Sequence, residues 1–141
     1  MSEVSEEIRI LYNAFEEMLR TKDNHLSYFN DETLRQHVHT IVEQNQCEVL
    51  HSMIKSLAVY YLNCNIFIPL TNSINTDMTK LLQSLDDYYI AMTFISEIVE
   101  ELNKVYVEPV SKMGEQILKE QIQALENDEI RNLLSMIVYK M

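Results

Sequence analysis

Three histidines and one cysteine form the grouping in this sequence best suited to a transition metal: His37, His39, Cys47 and His51. Cys47 and His51 are four residues apart, which places both side chains on one face of a helix. His37 and His39 are two residues apart, so on a helix they point about 200° away from each other and cannot both reach one ion. Scattered surface histidines with a packed thiol are the simpler interpretation, and we predict neither a metal nor a cofactor.

The residue pattern does not indicate catalysis of another kind. A Cys/His nucleophile pair needs a third group that orients the base and a thiol of low pKa, and the spacing of Cys47 and His51 supplies neither. Neighbouring acids such as Glu100 and Glu101 diverge by about 100° on a helix, which is typical of solvated faces rather than of acid–base pairs. Phosphate-binding loops and nucleophile elbows need several glycines, and the chain has one. We therefore predict that the protein is not an enzyme.

Length, charge and composition limit the partners and the compartment. The chain has 141 residues, which favours a single domain over residues 1–141. Its formal net charge is −11, whereas nucleic acids and anionic membranes require a basic surface. The N-terminus is acidic, unlike a signal peptide, and the longest apolar run, Ile66–Leu70, is far shorter than the ~18 residues of a membrane span. We expect a cytoplasmic or nuclear protein without a nucleic-acid, membrane or small-molecule partner, and with both cysteines reduced and buried.

The spacing of apolar residues predicts an all-α fold. Hydrophobic residues make up 47% of the chain, and one Gly and two Pro leave little material for tight turns, which favours a helical bundle. From Thr76 to Val107, apolar and aromatic residues recur at alternating steps of four and three, the period of one helix face: Leu81/Leu82, Leu85, Tyr88/Tyr89, Met92, Ile95, Val99, Leu102 and Tyr106. No Gly or Pro interrupts this stretch, so we predict one continuous central helix about 45 Å long. Shorter helices are expected to lie along it, giving a bundle of five to six helices.

Two stretches before that helix are ambiguous or irregular. Gln44–Gln46 is either a break between the second and third helices or a solvated turn of one continuous helix. Asn63–Asn75 contains Pro69 and is predicted to be the longest irregular segment. The helix count therefore depends on how these two stretches fold.

Four short runs, spread over most of the chain, resemble one family in the same order. Residues 81–107 contain an Ala-Met-x-x-Ile run and end in Lys-Val-Tyr-Val, and His25–Tyr28 reads His-Leu-Ser-Tyr. Met113–Ile117 includes the single glycine of the chain, and Leu133–Ile137 reads Leu-Leu-Ser-Met-Ile. These runs resemble the first N-terminal repeat of cullins, and the similarity is greatest to the cullin that takes BTB-domain adaptors.

The resemblance implies a cullin repeat of five to six helices that holds a substrate adaptor of a ubiquitin ligase. In the family, the adaptor contacts the second helix, the C-terminal half of the long helix and the segment before the second helix. Carried over by position, the adaptor-binding residues would be Leu26, Tyr28, Arg35, His39, Glu101 and Lys104. Arg35, His39 and Glu101 stand where the family has tyrosines. Tyr28 and Lys104 retain the aromatic ring and the cation.

The resemblance covers one repeat and includes neither the further repeats nor the RING-binding part of a cullin. It therefore implies a protein that occupies BTB-domain or Skp-type adaptors without delivering a RING subunit, or a fragment of a longer cullin. The alternative, from another functional class, is a non-enzymatic helical scaffold or self-associating protein whose acidic charge steers its partner. Adaptor binding by the purified chain distinguishes the two.

Overall fold

Helices account for all the regular structure in the computed structural model, which describes residues 2–20, 31–72, 78–106 and 108–138. In these ranges there is no strand, so the predicted all-α class is confirmed. The elements are α1 (Ser2–Arg20), α2 (Asp31–Glu43), α3 (Cys47–Leu62), a π turn (Asn63–Phe67), α4 (Ile68–Asn72), α5 (Met78–Ile98), α6 (Glu100–Asn103), α7 (Val110–Gln123) and α8 (Asp128–Val138). Since α3, the π turn and α4 are continuous, the described chain forms seven helical segments.

Helix α5 lies at the centre of the core, as the sequence predicts. It contacts α1, α2 and α7, and its Leu85, Tyr88, Met92 and Ile95 side chains are at most 1% exposed. Large side chains of α1, α2, α3, the π turn, α7 and α8 are also fully buried, among them Leu11, Phe15, Met18, Ile41, Leu50, Ile54, Leu62, Ile66, Leu118, Ile122 and Leu134. The apolar stripe of α5 is thus covered from several sides by the other helices.

The long central helix is not continuous, because it breaks at Val99. This residue has φ −94° and ψ 33°, outside the helical range. The carbonyl of Ser96 accepts a hydrogen bond from Nδ2 of Asn103 at 2.8 Å, and Oδ1 of Asn103 accepts one from the backbone N–H of Val110 at 3.0 Å. The prediction of one unbroken helix is wrong here, because a side-chain amide competes for a carbonyl of the last α5 turn. Both predicted ends of that helix lie outside the described residues.

Asn103→Ala is expected to lower the free energy of unfolding by about 1–2 kcal/mol. The substitution removes the hydrogen bonds that join the α5–α6 break to the first turn of α7. Urea denaturation followed by circular dichroism measures the loss. Asn132→Ala, at an exposed position of α8, is the matched control and should change stability by less than about 0.5 kcal/mol. Equal losses for the two substitutions would contradict the stabilising role assigned to the Asn103 hydrogen bonds.

The turn between α2 and α3 resolves the ambiguity at Gln44–Gln46. Asn45 has φ 58°, in the left-handed region that Asn tolerates better than most residues. The backbone N–H of Gln46 donates to the carbonyl of Ile41, and that of Asn45 donates to the carbonyl of Val42, both at 3.1 Å. These two bonds form a Schellman motif, which ends a helix. The polar stretch is therefore a true break.

The stretch predicted to be irregular, Asn63–Asn75, is helical over residues 63–72, and its last three residues lie outside the described ranges. In the π turn, the backbone N–H of Ile68 donates to the carbonyl of Asn63, five residues earlier. Pro69 follows directly. Proline has no N–H and crowds the carbonyl four residues before it, and the wider π turn accommodates this crowding. The sequence-based prediction assumed that Pro69 interrupts the helical structure, and this assumption is wrong because the helix continues through Pro69.

The continuous rod Cys47–Leu70 changes one further expectation. It is 24 residues long and contains an 18-residue apolar window with a mean hydropathy of 1.2, so by length and composition alone it could cross a membrane. The sequence-based expectation counted uninterrupted apolar runs and missed this rod. In the bundle, 44% of the apolar window is buried, and a core helix meets the same criteria. The finding is weak evidence for a membrane.

Candidate functional site

Helices α2 and α6 form one exposed face. The apolar stripe of α2 faces the core, so Arg35 and His39, one helical turn apart, point outward. Helix α6 lies beside α2 and contributes Glu100 and Glu101. We call this surface the α2–α6 face and define it by five residues: Arg35, His39, Glu43, Glu100 and Glu101.

His39 is held between two carboxylates. Its Nδ1 lies 2.9 Å and 2.8 Å from the two carboxylate oxygens of Glu101 on α6. Its Nε2 lies 3.0 Å from Oε1 of Glu43, one turn further along α2. An ionised carboxylate only accepts hydrogen bonds, so this geometry is satisfied when both ring nitrogens donate. The arrangement therefore fits the imidazolium cation.

The same two neighbours raise the pKa of His39 above its ordinary value of 6.5. The hydrogen bond to Glu101 is the largest cause, followed by the charge of Glu101 and then that of Glu43. The pKa of His39 is thus higher in the folded chain than in the unfolded chain. Its contact with the two carboxylates therefore stabilises the fold fully at pH values below the unfolded-state pKa. This contribution is lost as pH rises through the folded-state pKa. Because the side chain is 52% exposed, solvent screening limits the contribution.

A second ion pair lies one turn away on α2. Nη1 of Arg35 is 3.3 Å from Oε2 of Glu100, and the two side chains are 39% and 66% exposed. Exposed pairs of this kind typically contribute about 0–1 kcal/mol, so this pair adds little to the stability of the fold. Neighbouring acids were predicted to form solvated faces. Glu100 is indeed exposed, but both acids also reach across to α2, which the sequence did not show.

A groove of about 400 Å³ borders the α2–α6 face. Each of the residues that line it is polar or charged: Arg35, Thr93, Ser96, Glu97, Glu100, Asn103 and Ser111. Small-molecule pockets are mostly apolar, with only a few polar groups that fix orientation. This groove therefore suits a charged or hydrogen-bonding side chain of a partner protein better than an apolar ligand.

The structure brings three of the six predicted adaptor-binding residues together. Arg35, His39 and Glu101 meet on the α2–α6 face. Lys104 directly follows α6, and its side chain is exposed. Two predicted residues lie outside the described part of the chain: Leu26 and Tyr28.

Sequence reasoning missed two members of this face, Glu43 and Glu100. The signal for Glu43 was available, because it follows His39 by four residues and so lies on the same side of α2. The partner of Glu100, Arg35, is 65 residues away in sequence. No local spacing identifies a pair of that kind.

The three histidines considered for a metal site have separate environments. Nδ1 of His37 contacts the carboxylate of Glu7 on α1, and His39 belongs to the α2–α6 face. His51 stacks on Tyr106, with ring centroids 4.1 Å apart. Across the ranges that the structure describes, no three His, Cys, Asp or Glu side chains are grouped to hold a metal ion.

Two further cavities lie away from the α2–α6 face. One, of about 380 Å³, borders the stacked rings of His51 and Tyr106. Burial, and to a lesser extent the charge of Lys55, lowers the pKa of His51. The other, of about 230 Å³, lies between α1 and α3 beside Cys64. Cys64 is exposed, so the prediction that both cysteines are buried is wrong, because the π turn directs Ile66 rather than Cys64 into the core.

No protein-family model matches this chain, and no curated protein or solved structure matches it either. The resemblance to the first cullin repeat therefore stays a prediction made from the sequence. Independently of that resemblance, the structure places the second helix beside the end of the long helix.

Proposed function

We propose that this chain is an adaptor-binding domain of the cullin-repeat type, which binds BTB-domain or Skp-type substrate adaptors of cullin–RING ubiquitin ligases. Its role is protein binding in ubiquitin-dependent protein degradation, with no catalytic step, metal or cofactor. Acting by itself, the domain would occupy an adaptor without bringing a RING subunit. It would thus compete with a complete cullin for that adaptor.

The observation that supports this proposal is the contact between α2 and α6. The cullin resemblance assigns adaptor binding to two segments far apart in the sequence. In the fold these segments lie side by side, with His39 2.8 Å from Glu101 and Arg35 3.3 Å from Glu100. Both pairs are at least partly exposed, so one partner can contact the two helices at once.

The chemistry of this surface points to a charge-dependent interaction. Tyrosines of the family correspond to Arg35, His39 and Glu101, and aromatic anchors usually supply much of an interface's free energy. Charged groups contribute more to specificity and to the association rate than to affinity. We therefore expect modest affinity that weakens as salt concentration rises, since a Debye length of about 8 Å at physiological salt screens exposed charges.

Glu101→Ala is expected to weaken adaptor binding by about 5–30-fold, equivalent to about 1–2 kcal/mol. The substitution removes the carboxylate at the centre of the α2–α6 face and leaves His39 paired with Glu43 alone. Isothermal titration calorimetry with purified BTB-domain and Skp-type adaptors measures the change, and circular dichroism checks the fold. The matched control, Glu126→Ala, removes an exposed carboxylate between α7 and α8 and should leave affinity unchanged.

Two results would contradict parts of this proposal. If no adaptor binds at tens of micromolar, the adaptor assignment is wrong, and the helical scaffold or self-associating protein becomes the better interpretation. Sedimentation velocity of the chain alone then tests self-association. If an adaptor binds but neither Glu101→Ala nor His39→Ala changes its affinity, the interface lies elsewhere on the bundle.

A further inference from the structure

Helix α6 is short and depends on its neighbours for its position. It has four residues, and an isolated helix of that length is unstable. The conformational entropy lost in forming the first turn outweighs the free energy gained from its hydrogen bonds. Leu102 anchors it in the core. On its outer side, two ion pairs join it to α2: Arg35–Glu100 and His39–Glu101.

These two ion pairs differ in how they respond to pH. The guanidinium of Arg35 stays charged at any physiological pH, whereas the imidazole of His39 can lose a proton. A neutral imidazole has one N–H and one nitrogen lone pair. One of the two carboxylates that lie 2.8 Å and 3.0 Å from the ring would then face that lone pair, which is repulsive. Either Glu101 or Glu43 would have to move away.

We propose that His39 is a proton-operated latch between α2 and α6. With both ring nitrogens protonated, the ring bridges Glu43 and Glu101 and holds α6 against α2. When Nδ1 loses its proton, the carboxylate of Glu101 is released, α6 moves more freely and the α2–α6 face becomes more negative. The effect on adaptor binding rests on the proposed function, but the latch itself is a property of the free chain.

The charged groups around the ring set the pH range of this latch. Glu101 from α6 and Glu43 from α2 both raise the pKa of His39, so it titrates above 6.5. Of the other helices that contact α2, α1 presents Glu7 to His37, and α5 presents Glu97 to the groove beside the face. No described ionisable group of α1, α3 or α5 shifts the pKa of His39. The transition is therefore set by two carboxylates.

The test uses the full chain without a partner. NMR titration of the histidine side chains gives the pH at which His39 loses its proton, and hydrogen exchange gives the protection of amides 100–104 between about pH 5.5 and about pH 8.5. After correction for intrinsic exchange, we expect this protection to fall about threefold or more as pH rises through the His39 transition. Amides in the middle of α7 are the internal control and should not change.

Two variants separate the latch from a general effect of pH. His39→Arg places a permanent cation between the carboxylates and should keep α6 protected throughout. His39→Gln should keep α6 weakly protected throughout. The proposal would be overturned if the protection of amides 100–104 in the wild type did not change with pH. It would also be overturned if this protection fell equally in His39→Arg. Circular dichroism confirms that each variant is folded.

Adaptor binding measured over the same pH range keeps the two proposals distinguishable. If no adaptor binds at any pH, the proposed function fails while the exchange result stands. If adaptors bind but the exchange profile of α6 is flat, the latch fails while the proposed function stands.

Discussion

Tyr88→Ala is expected to lower the free energy of unfolding by about 3–5 kcal/mol, the cost typical of deleting a large buried aromatic side chain. The Tyr88 side chain is fully buried in the middle of α5. Its ring stacks on Tyr61 with centroids 5.8 Å apart, and its hydroxyl donates to the carbonyl of Gly114 at 2.7 Å. Burial also raises the pKa of Tyr88, so the phenol stays protonated and remains a donor. Urea denaturation followed by far-UV circular dichroism measures the loss.

Tyr88→Phe separates the ring from the hydroxyl. It keeps the stacking surface and removes only the hydrogen bond to Gly114, so we expect a loss of about 1–2 kcal/mol. A loss as large as that of Tyr88→Ala would mean that the hydrogen bond, and not the buried ring, dominates. A negligible loss would contradict the role assigned to the bond between α5 and α7.

Gly114→Val is expected to cost about 2–3 kcal/mol, because the close approach of α7 to α5 leaves no room for a branched side chain. A Cβ atom at this position would lie 3.0 Å from Cγ, 3.1 Å from Cε and 3.3 Å from Cβ of Met92. Met92 is 1% exposed, so its side chain has little space into which it can move. Thermal and urea unfolding of the purified variant measure the cost.

The same substitution in a Met92→Ala background supplies the control. Shortening Met92 frees the volume that the valine needs, so the second substitution should cost clearly less there than in the wild type. Residues in contact typically couple by about 0.5–3 kcal/mol in such a double-mutant cycle. Strict additivity of the two costs would show that strain in α7 itself, rather than contact with Met92, causes the loss.

The central helix shows how far the sequence predicts this fold. Its four-three spacing predicted a buried stripe, and Leu85, Tyr88, Met92 and Ile95 of that stripe are buried. Leu82 of the same stripe is 44% exposed. Burial of an apolar stripe follows from the short-range helical period. The break at Val99 did not follow from that period, because it depends on a side-chain hydrogen bond that also reaches the first turn of another helix.

The candidate site was less predictable than the core. Arg35, His39 and Glu101 were selected through a family resemblance and not through their spacing. Their meeting requires α2 to lie against α6, although His39 and Glu101 are 62 positions apart in the chain. The core sets that arrangement, since neither helix specifies the position of the other. The carboxylate of Glu43 was the one part of the site that local spacing could have identified.

By itself, the sequence determined the helical class, the central position of one helix and the acidic character of the protein, because composition and short-range periodicity encode these properties. The tertiary structure alone decided where the central helix breaks, that residues 63–72 continue α3, and which carboxylate of α6 meets His39. The physical reason is the range of the interactions. Apolar periodicity acts within a few turns of one helix, whereas the Asn103 hydrogen bonds and the ion pairs between α2 and α6 exist only once the core has brought distant segments together.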